Sequence, residues 1–278
     1  MSESLKAIIL GIIQGLSEFL PISSSGHLVL GQKILGFKEA GLAFEVFVHF
    51  GTLLAVLVVF RRDVWQMIRW LPGVPGFIGR GMRIESDEDE YRAMSFFIIV
   101  GTIPAAVLGL LFESAVEQLF DSAMLVLVAL LMTAVIMWSS RYTRESDDLR
   151  FMLLWQALLI GFAQAFAIIP GISRSGSTIV MALWLGIGRQ TAARFSFLLS
   201  IPVILGASIL KLKDLVETPP PADQLLQIGL GTLAAAVSGY LAIVWMLNII
   251  RRQKLEWFGV YCAVVAVFGM LWIAFATP

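Results

Sequence analysis

Charged residues are scarce in this chain of 278 residues, at 14% of the composition, and histidine and cysteine are scarcer still. Soluble domains carry roughly 25% charged residues, so the composition excludes an ordinary soluble protein. The formal net charge is zero, which argues against a nucleic-acid partner. The single cysteine, Cys262, excludes a disulfide framework. The N-terminus has no basic region followed by a cleavage site, so we expect no cleaved signal peptide.

Hydrophobic residues make up 58% of the chain and predict an all-α integral membrane protein. Crossing a bilayer takes about 20 apolar residues. The segments near that length are 43–60, 93–112, 122–139, 194–210, 225–250 and 257–276. Residues 4–20 and 26–36 are each too short to cross, and together they predict a re-entrant helical hairpin with a polar tip. Residues 61–92 and 140–150 are polar and predict connecting loops.

The second half of the chain repeats the first. The pairs at one constant spacing are Gly11/Gly161, Gln14/Gln164, Ile22/Ile172, Ser23/Ser173, Ser25/Ser175 and Gly26/Gly176. A further match, 101–111 with 231–241, follows in the same order. These matches predict an internal duplication within a single membrane domain, 1–278, with repeat one at 1–150 and repeat two at 151–278. Each half then holds one re-entrant hairpin and three transmembrane helices. Because three is odd, we expect inverted topology, with the two hairpin tips facing each other near the midplane.

Lysine and arginine are distributed unequally between the two sides that this topology predicts. The richer side holds Arg61, Arg62, Arg69, Arg80, Arg83, Arg92, Arg141, Arg144, Arg150, Arg189, Arg194, Arg251, Arg252 and Lys254. The poorer side holds Lys6, Lys33, Lys38, Lys211 and Lys213. The richer side is expected to be cytoplasmic. Both termini and the entrance of the first hairpin are then expected outside, and the second hairpin enters from the cytoplasm.

The two predicted hairpin tips bring polar side chains into an apolar chain. They are Gln14, Glu18, Ser23, Ser24, Ser25 and His27 from the first tip, and Ser173, Arg174, Ser175, Ser177 and Thr178 from the second. An intramembrane glutamate is by default a functional candidate. The planar fork of Arg174 suits a phosphate, and the N-termini of the helices that restart after each tip also favour an anion.

A hard divalent cation reconciles the acidic residue with an anionic ligand. Gln14 and Glu18 supply oxygen ligands, and phosphate oxygens complete the shell of Mg²⁺ or Ca²⁺. A cation-bridged pyrophosphate therefore uses every group of the two tips. His27 supplies a base, and Ser24 and Ser25 are nucleophile candidates beside it.

These residues resemble a known family, the undecaprenyl pyrophosphate phosphatases of the bacitracin-resistance type. QGLSE at 14–18 and PISSSGH at 21–27 match its first motif, and PGISRSGST at 170–178 matches its second. FEV at 44–46 and FSFLLSIP at 195–202 extend the similarity. The resemblance implies hydrolysis of undecaprenyl pyrophosphate to undecaprenyl phosphate and inorganic phosphate. It places the site on the outer face of the bacterial plasma (inner) membrane, where the reaction recycles the lipid carrier for cell-wall synthesis.

The resemblance also implies a role for each matching residue. Glu18, Ser24, His27 and Arg174 are expected to be catalytic: Glu18 at the metal with Gln14, Ser24 as nucleophile, His27 as acid and base, and Arg174 as phosphate clamp. The expected substrate-binding residues are Gln14, Ser23, Ser25, Gly26, Glu45, Ser173, Ser175, Gly176 and Thr178. Gln14 stands where the family has Glu or Gln, and the amide removes one negative charge from the metal site. Ser24, His27 and an activated water are the three candidates for the attacking group.

Other interpretations compete with this one. Glu18 can be a structural partner of Arg174 or His27, and the pairing with Arg174 is compatible with phosphate binding. Glu45 and His49 are four residues apart on one span; we include only Glu45 in the site. Inverted repeats are also typical of transporters, so the chain can be a flippase of the lipid carrier, alone or in addition. An acid-phosphatase-like enzyme needs a histidine after Arg174, and the sequence has none there. A homodimer is compatible with the sequence.

Overall fold

The computed structural model describes residues 1–37, 41–120, 122–143, 152–217, 219–251 and 255–276. Within these ranges the chain is helical and has no strand, which confirms the all-α prediction. The helices are α1 Glu3–Phe19, α2 Ser24–Leu35, α3 Gly41–Val59, α4 Arg61–Trp70, α5 Val74–Gly79, α6 Asp87–Leu111, α7 Glu113–Phe120, α8 Ala123–Ser139, α9 Leu154–Phe166, α10 Arg174–Trp184, α11 Arg189–Glu217, α12 Leu225–Ile250 and α13 Glu256–Ala276.

Five helices in the described part of the chain are long and apolar enough to cross a membrane: α6, α8, α11, α12 and α13. A sixth span results if Ala43–Val59 is joined to Arg61–Gly79 across a bend of 80°. The chain is therefore a multi-pass membrane protein. The predicted bounds of 225–250 agree with α12, whereas α11 begins at Arg189, before the predicted start at 194.

The prediction that 61–92 is a polar loop was wrong. The segment contains α4 and α5, and α6 already begins at Asp87. Val64 and Met67 on α4 pack against the buried core, whereas Trp65 on the same helix is 64% exposed. Helix α4 is therefore amphipathic. Because the segment contains many arginines, its apolar face is not evident from the sequence.

The acidic residues near the end of this segment, Asp87, Glu88, Asp89 and Glu90, form the first turn of α6 and not a solvated loop. Ser86 caps the helix by accepting a hydrogen bond from the Asp89 backbone N–H at 3.2 Å. Asp89 is buried and accepts hydrogen bonds from Arg80 at 2.9 Å and from Arg92 at 2.8 Å. Carboxylates favour the N-terminus of a helix because its free N–H groups carry partial positive charge.

Parts of the predicted loops fall beyond the described ranges. The predicted link 140–150 is described only to residue 143. The basic residues Lys38, Arg144, Arg150, Arg252 and Lys254, and the side chains of Lys211 and Lys213, also lie outside the described residues.

The first helix break lies between α1 and α2. Helix α1 ends before Leu20, which is extended at φ −73° and ψ 140°, as expected for a residue before proline. Ser23 has a positive φ of 72°, a conformation that a residue with a Cβ adopts at an energetic cost. Its side chain caps α2 by accepting a hydrogen bond from the Gly26 N–H at 3.3 Å.

The second break lies between α9 and α10 and uses the same cap. Ser173 accepts a hydrogen bond from the Gly176 N–H at 3.1 Å. Gly171 provides the turn with a φ of 98°, which only glycine adopts without strain. A Cβ at Gly171 would also meet the Ala129 side chain of α8 at 2.7 Å. The break is therefore pressed closely against α8.

The two breaks contact each other through their serines. The Gly171 N–H donates to the Ser25 hydroxyl at 3.3 Å, and the Ser175 hydroxyl donates to the Leu20 carbonyl at 3.2 Å. Each contact joins a serine of one break to the backbone of the other. The residues at the start of α10 are thereby brought to the end of α1.

Paired glycines bring the helices on either side of the breaks into close contact. A Cβ at Gly11 of α1 would collide with the carbonyl group of Gly231 on α12. A Cβ at Gly161 of α9 would collide with the carbonyl group of Gly101 on α6. Glycine at these positions lets the backbones approach closely, as is common between membrane helices.

Aromatic packing fixes the end of α1. Phe19 is fully buried and meets Phe197 of α11 edge-on, with ring centroids 5.6 Å apart. Phe60, at the bend after α3, also contacts Phe197, and the centroids of these two rings are 6.2 Å apart. Because Phe19 is anchored in this way, the preceding residue, Glu18, is held at the level of the second break.

Candidate active site

Glu18 is the centre of the polar cluster between the breaks. Gln14 lies one helical turn earlier on α1, and its Nε2 donates to Glu18 Oε2 at 2.9 Å. The Ser24 hydroxyl donates to the same oxygen at 2.6 Å, and Arg174 Nη2 donates to Oε1 at 2.6 Å. The carboxylate is buried, and these charge-assisted bonds compensate for its removal from water.

Arg174 connects the two breaks. It is the first residue of α10, and its side chain pairs with Glu18 while it is only 14% exposed. Its Nη1 also donates to the Ser196 carbonyl oxygen of α11 at 3.3 Å. A guanidinium has five N–H donors, and these two contacts use two of them. Further donors on the same rigid plane remain for an anion.

The three serines of the first break have different contacts. Ser23 caps α2, and Ser25 binds the backbone of the second break. Only Ser24 turns its hydroxyl to Glu18. A serine hydroxyl that donates to a carboxylate can transfer its proton to that carboxylate, which is the arrangement of a nucleophile and its base. Gly26 gives its N–H to the Ser23 cap.

His27 is held by two partners at its two ring nitrogens. Nδ1 lies 2.9 Å from the Ser23 carbonyl oxygen, and Nε2 lies 2.9 Å from the Tyr261 hydroxyl of α13. The two rings are also stacked, with centroids 5.5 Å apart and an interplanar angle of 9°. The imidazole is therefore directed to α13, whereas Ser24 is directed to Glu18.

The residues of the second break mainly build the start of α10. The Ser173 backbone N–H donates to Thr133 Oγ1 of α8 at 2.9 Å. Thr178 shares a hydrogen bond of 2.6 Å with the Ser196 hydroxyl. A Cβ at Gly176 would meet the Met137 sulfur at 3.0 Å, so this glycine packs α10 on α8. Ser175 forms the contact between the breaks described above.

Glu45 and His49, both on α3, have different neighbours. Glu45 Oε1 accepts a hydrogen bond from Gln32 of α2 at 3.1 Å. His49 Nε2 lies 3.9 Å from Glu18 Oε2. The site predicted from the sequence does not include His49, whereas the structure brings it to the central carboxylate. Its spacing of four from Glu45 was the only sequence signal, because both residues then share a face of the helix.

Tyr261 carried no comparable signal, because α13 lies far from the first break in the sequence. The residue sits in an apolar segment whose aromatic content is typical of any membrane helix. Only the packing of α13 beside the break reveals its contact with His27.

The oxygens of Gln14 and Glu18 fit a hard divalent cation. Among the described residues, no group of three or more His, Cys, Asp and Glu side chains is close enough to hold a metal. Gln14 Oε1, however, is buried without a hydrogen-bond partner, and its amide is bonded to the Glu18 carboxylate. Mg²⁺ is typically bound by one or two carboxylates together with substrate phosphates, and here Glu18 offers one carboxylate and Gln14 an amide oxygen.

Known proteins resemble this chain along nearly its whole length. The family model of the bacitracin resistance protein BacA matches residues 7–268. The chain belongs to this family. An undecaprenyl-diphosphatase of Halothermothrix orenii is 44% identical over 266 residues, covering 95% of this chain and 96% of the relative. That of Methanobrevibacter smithii is 43% identical over 268 residues, with coverages of 95% and 96%.

A third relative is equally similar. The undecaprenyl-diphosphatase of Korarchaeum cryptofilum is 45% identical over 268 residues, covering 95% of this chain and 97% of the relative. The family resemblance inferred from the motifs at 14–27 and 170–178 is thus confirmed.

Proposed function

We propose that this BacA-family protein hydrolyses undecaprenyl pyrophosphate to undecaprenyl phosphate and inorganic phosphate. The observation that carries the proposal is the contact of 2.6 Å between Arg174 and Glu18, which come from different helix breaks. It joins a guanidinium suited to phosphate binding to a carboxylate that also accepts a hydrogen bond from the Ser24 hydroxyl. The names of the relatives supply the substrate.

In the reaction that this geometry favours, Ser24 attacks the terminal phosphorus. Its proton passes to Glu18, which lies 2.6 Å away, while the bond between the bridging oxygen and the terminal phosphorus breaks and undecaprenyl phosphate leaves. Water then attacks the phosphoserine: His27, the proposed acid and base, takes a proton from that water, the Ser24 oxygen regains the proton held by Glu18, and inorganic phosphate is released. His27 and an activated water are the alternative attacking groups. Free N–H donors of Arg174 bind the phosphoryl oxygens, where charge accumulates in the transition state.

Gln14 and Glu18 would hold the divalent cation, Mg²⁺ or Ca²⁺, in this proposal. When bound, the cation neutralises phosphate charge and orients the pyrophosphate. The remaining candidate residues line the substrate site or form the N-terminal turns of the helices beside it. They are Ser23, Ser25, Gly26, Glu45, Ser173, Ser175, Gly176 and Thr178.

We further propose that the fold is one membrane domain of two inverted repeats, each with a re-entrant helical hairpin. The matched glycine pairs Gly11/Gly231 and Gly161/Gly101 support this proposal, because each joins a hairpin helix of one half to a span of the other. The serine contacts between the breaks are similarly reciprocal. Inverted repeats place such broken helices at the bilayer midplane.

The proposed orientation has the arginine-rich ends in the cytoplasm, and both termini and the active site outside. Arg194, near the start of α11, hydrogen-bonds Asp63 of α4 and Glu90 of α6, the latter at 3.4 Å. These contacts hold three basic segments at one end of the bundle, which supports a single cytoplasmic face. A site on the opposite face of the plasma membrane would recycle the lipid carrier for cell-wall synthesis. A homodimer stays a prediction.

Phosphate release by the purified protein tests the proposal. In detergent with undecaprenyl pyrophosphate and Mg²⁺, we expect stoichiometric release of inorganic phosphate and formation of undecaprenyl phosphate. A flippase without hydrolytic activity would release none, and that outcome would contradict the proposal.

Removal of the cation should stop the reaction. We expect EDTA in excess over Mg²⁺ to reduce phosphate release to background, because without the cation the negative charge of the pyrophosphate beside Glu18 is not neutralised. Readdition of Mg²⁺ or Ca²⁺ should restore the rate, and the same EDTA treatment of a metal-independent phosphatase controls for effects on the assay. Undiminished release in EDTA would remove the cation from the mechanism.

A further inference from the structure

We propose that Tyr261 is a positioning residue that fixes the orientation of His27 and hydrogen-bonds its Nε2. The inference rests on the proposed phosphatase function, in which His27 acts as acid and base. It concerns a residue of α13 that none of the sequence motifs includes. Three observations carry it: the hydrogen bonds of the imidazole, the stacking of the two rings and the packing of α13 against the first break.

The hydrogen bonds determine which nitrogen of His27 carries the proton. Nδ1 faces the Ser23 carbonyl oxygen at 2.9 Å, and a carbonyl oxygen can only accept. Nδ1 must therefore carry the hydrogen, and in the neutral ring Nε2 holds the lone pair. The Tyr261 hydroxyl at 2.9 Å donates to that lone pair, and it can accept instead when Nε2 is protonated.

The stacking of the rings fixes the plane of the imidazole. The centroids are 5.5 Å apart, and the planes deviate by only 9°. An imidazole held at one edge by Ser23 can still rotate about its side-chain bonds. A parallel aromatic ring on one side restricts that rotation, so Nε2 keeps a defined direction.

The backbone packing of α13 places Tyr261 at this position. The neighbouring residue, Cys262, lies with its sulfur 3.9 Å from the Ile22 carbonyl oxygen of the first break. Gly259 lets α13 approach α8, because a Cβ there would meet the Ala134 carbonyl oxygen at 2.7 Å. Two successive side chains of α13 therefore contact the break, one of them at His27.

The geometry makes Nε2 the nitrogen through which His27 exchanges protons. Nδ1 is occupied by a carbonyl oxygen that cannot take its hydrogen, so a proton enters or leaves the ring at Nε2. Tyr261 lies at that nitrogen and is 43% exposed. Loss of its hydroxyl should therefore affect the chemical step, whereas binding of the lipid pyrophosphate by Arg174 should be unchanged.

The test replaces Tyr261 with phenylalanine, which keeps the stacked ring and removes only the hydroxyl. For phosphate release from undecaprenyl pyrophosphate, we expect kcat to fall about 10- to 100-fold while KM stays within about twofold. The matched control is Tyr240→Phe, which removes the hydroxyl of a similarly exposed tyrosine on α12. Its kcat should equal that of the wild type.

A spectroscopic measurement separates positioning from a general structural effect. The chain has two histidines, so ¹⁵N-histidine labelling gives few imidazole signals, and His27→Gln identifies those of His27. The wild type should show the Nδ1–H tautomer. In Tyr261→Phe the Nε2 signal should move downfield, because its hydrogen-bond donor is gone, and in Tyr240→Phe it should stay unchanged.

The outcomes are distinguishable from those of the phosphatase test. An unchanged Nε2 signal in Tyr261→Phe would overturn the proposal whatever the activity, and so would a wild-type kcat. If the wild-type protein releases no phosphate, the proposed function fails, and the histidine signals still report whether Tyr261 positions the ring. If Tyr261→Phe does not fold, Tyr261→Leu, which also lacks a hydrogen-bond donor, is measured by the same signals, with the same downfield shift expected.

Discussion

Replacing Arg174 with alanine is expected to lower the turnover of undecaprenyl pyrophosphate by on the order of 10³-fold or more. The guanidinium is the proposed phosphate clamp, and it is held in place by Glu18 and by the Ser196 carbonyl oxygen. Arg174→Lys should also be strongly impaired, since a lysine keeps the charge but loses the planar fork that grips two oxygens at once.

The measurement is phosphate release by purified variants at equal protein concentration. Arg61→Ala is the control, because it removes an exposed arginine that donates to the Val58 carbonyl oxygen, away from the breaks. Its turnover should match the wild type. An Arg174→Ala variant with turnover near that of the wild type would refute the clamp.

Replacing Glu18 with glutamine is expected to lower turnover by about 10²- to 10³-fold. The amide keeps the size of the side chain but removes the charge that Arg174 and Ser24 now contact. Ser24 then loses its proton acceptor, and the cation loses its one carboxylate ligand. Glutamine is preferable to alanine, because its amide oxygen can still accept a hydrogen bond from Arg174 and its size leaves no cavity.

Two measurements accompany this variant. Thermal unfolding in detergent should show that Glu18→Gln remains folded, and phosphate release should show the loss of turnover. Glu3→Gln on the same helix is the control, since Glu3 pairs only with the nearby Lys6 in the contacts described for it. If Glu18→Gln turns over substrate at the wild-type rate, the carboxylate is neither base nor cation ligand.

The helix breaks and the spans could be predicted because they depend on local chemistry. Pro21 disfavours helix at the preceding residue, and serines such as Ser23 cap the helix that follows. The contact between Glu18 and Arg174 is expected from the proposed inverted repeat, which would bring the two breaks together. These inferences need no knowledge of how the helices pack.

Other features depend on packing and could not be predicted. Helix α4 lies in a segment rich in arginine. Its apolar side is identified only by the packing of Val64 and Met67 against the core. His49 and Tyr261 reach the site because α3 and α13 pack beside the first break. Neither residue belongs to a sequence motif, and contacts between distant helices leave no local pattern.

The central claim is that Glu18 and Arg174, from two different helix breaks, act as one unit on the pyrophosphate. It is tested most directly by phosphate release from Glu18→Gln, Arg174→Lys and the double variant, each compared with the wild type. If the two side chains act together, the turnover of the double variant should lie within about threefold of the turnover of the less active single variant. If the two losses instead multiply, the residues act independently and the account is contradicted.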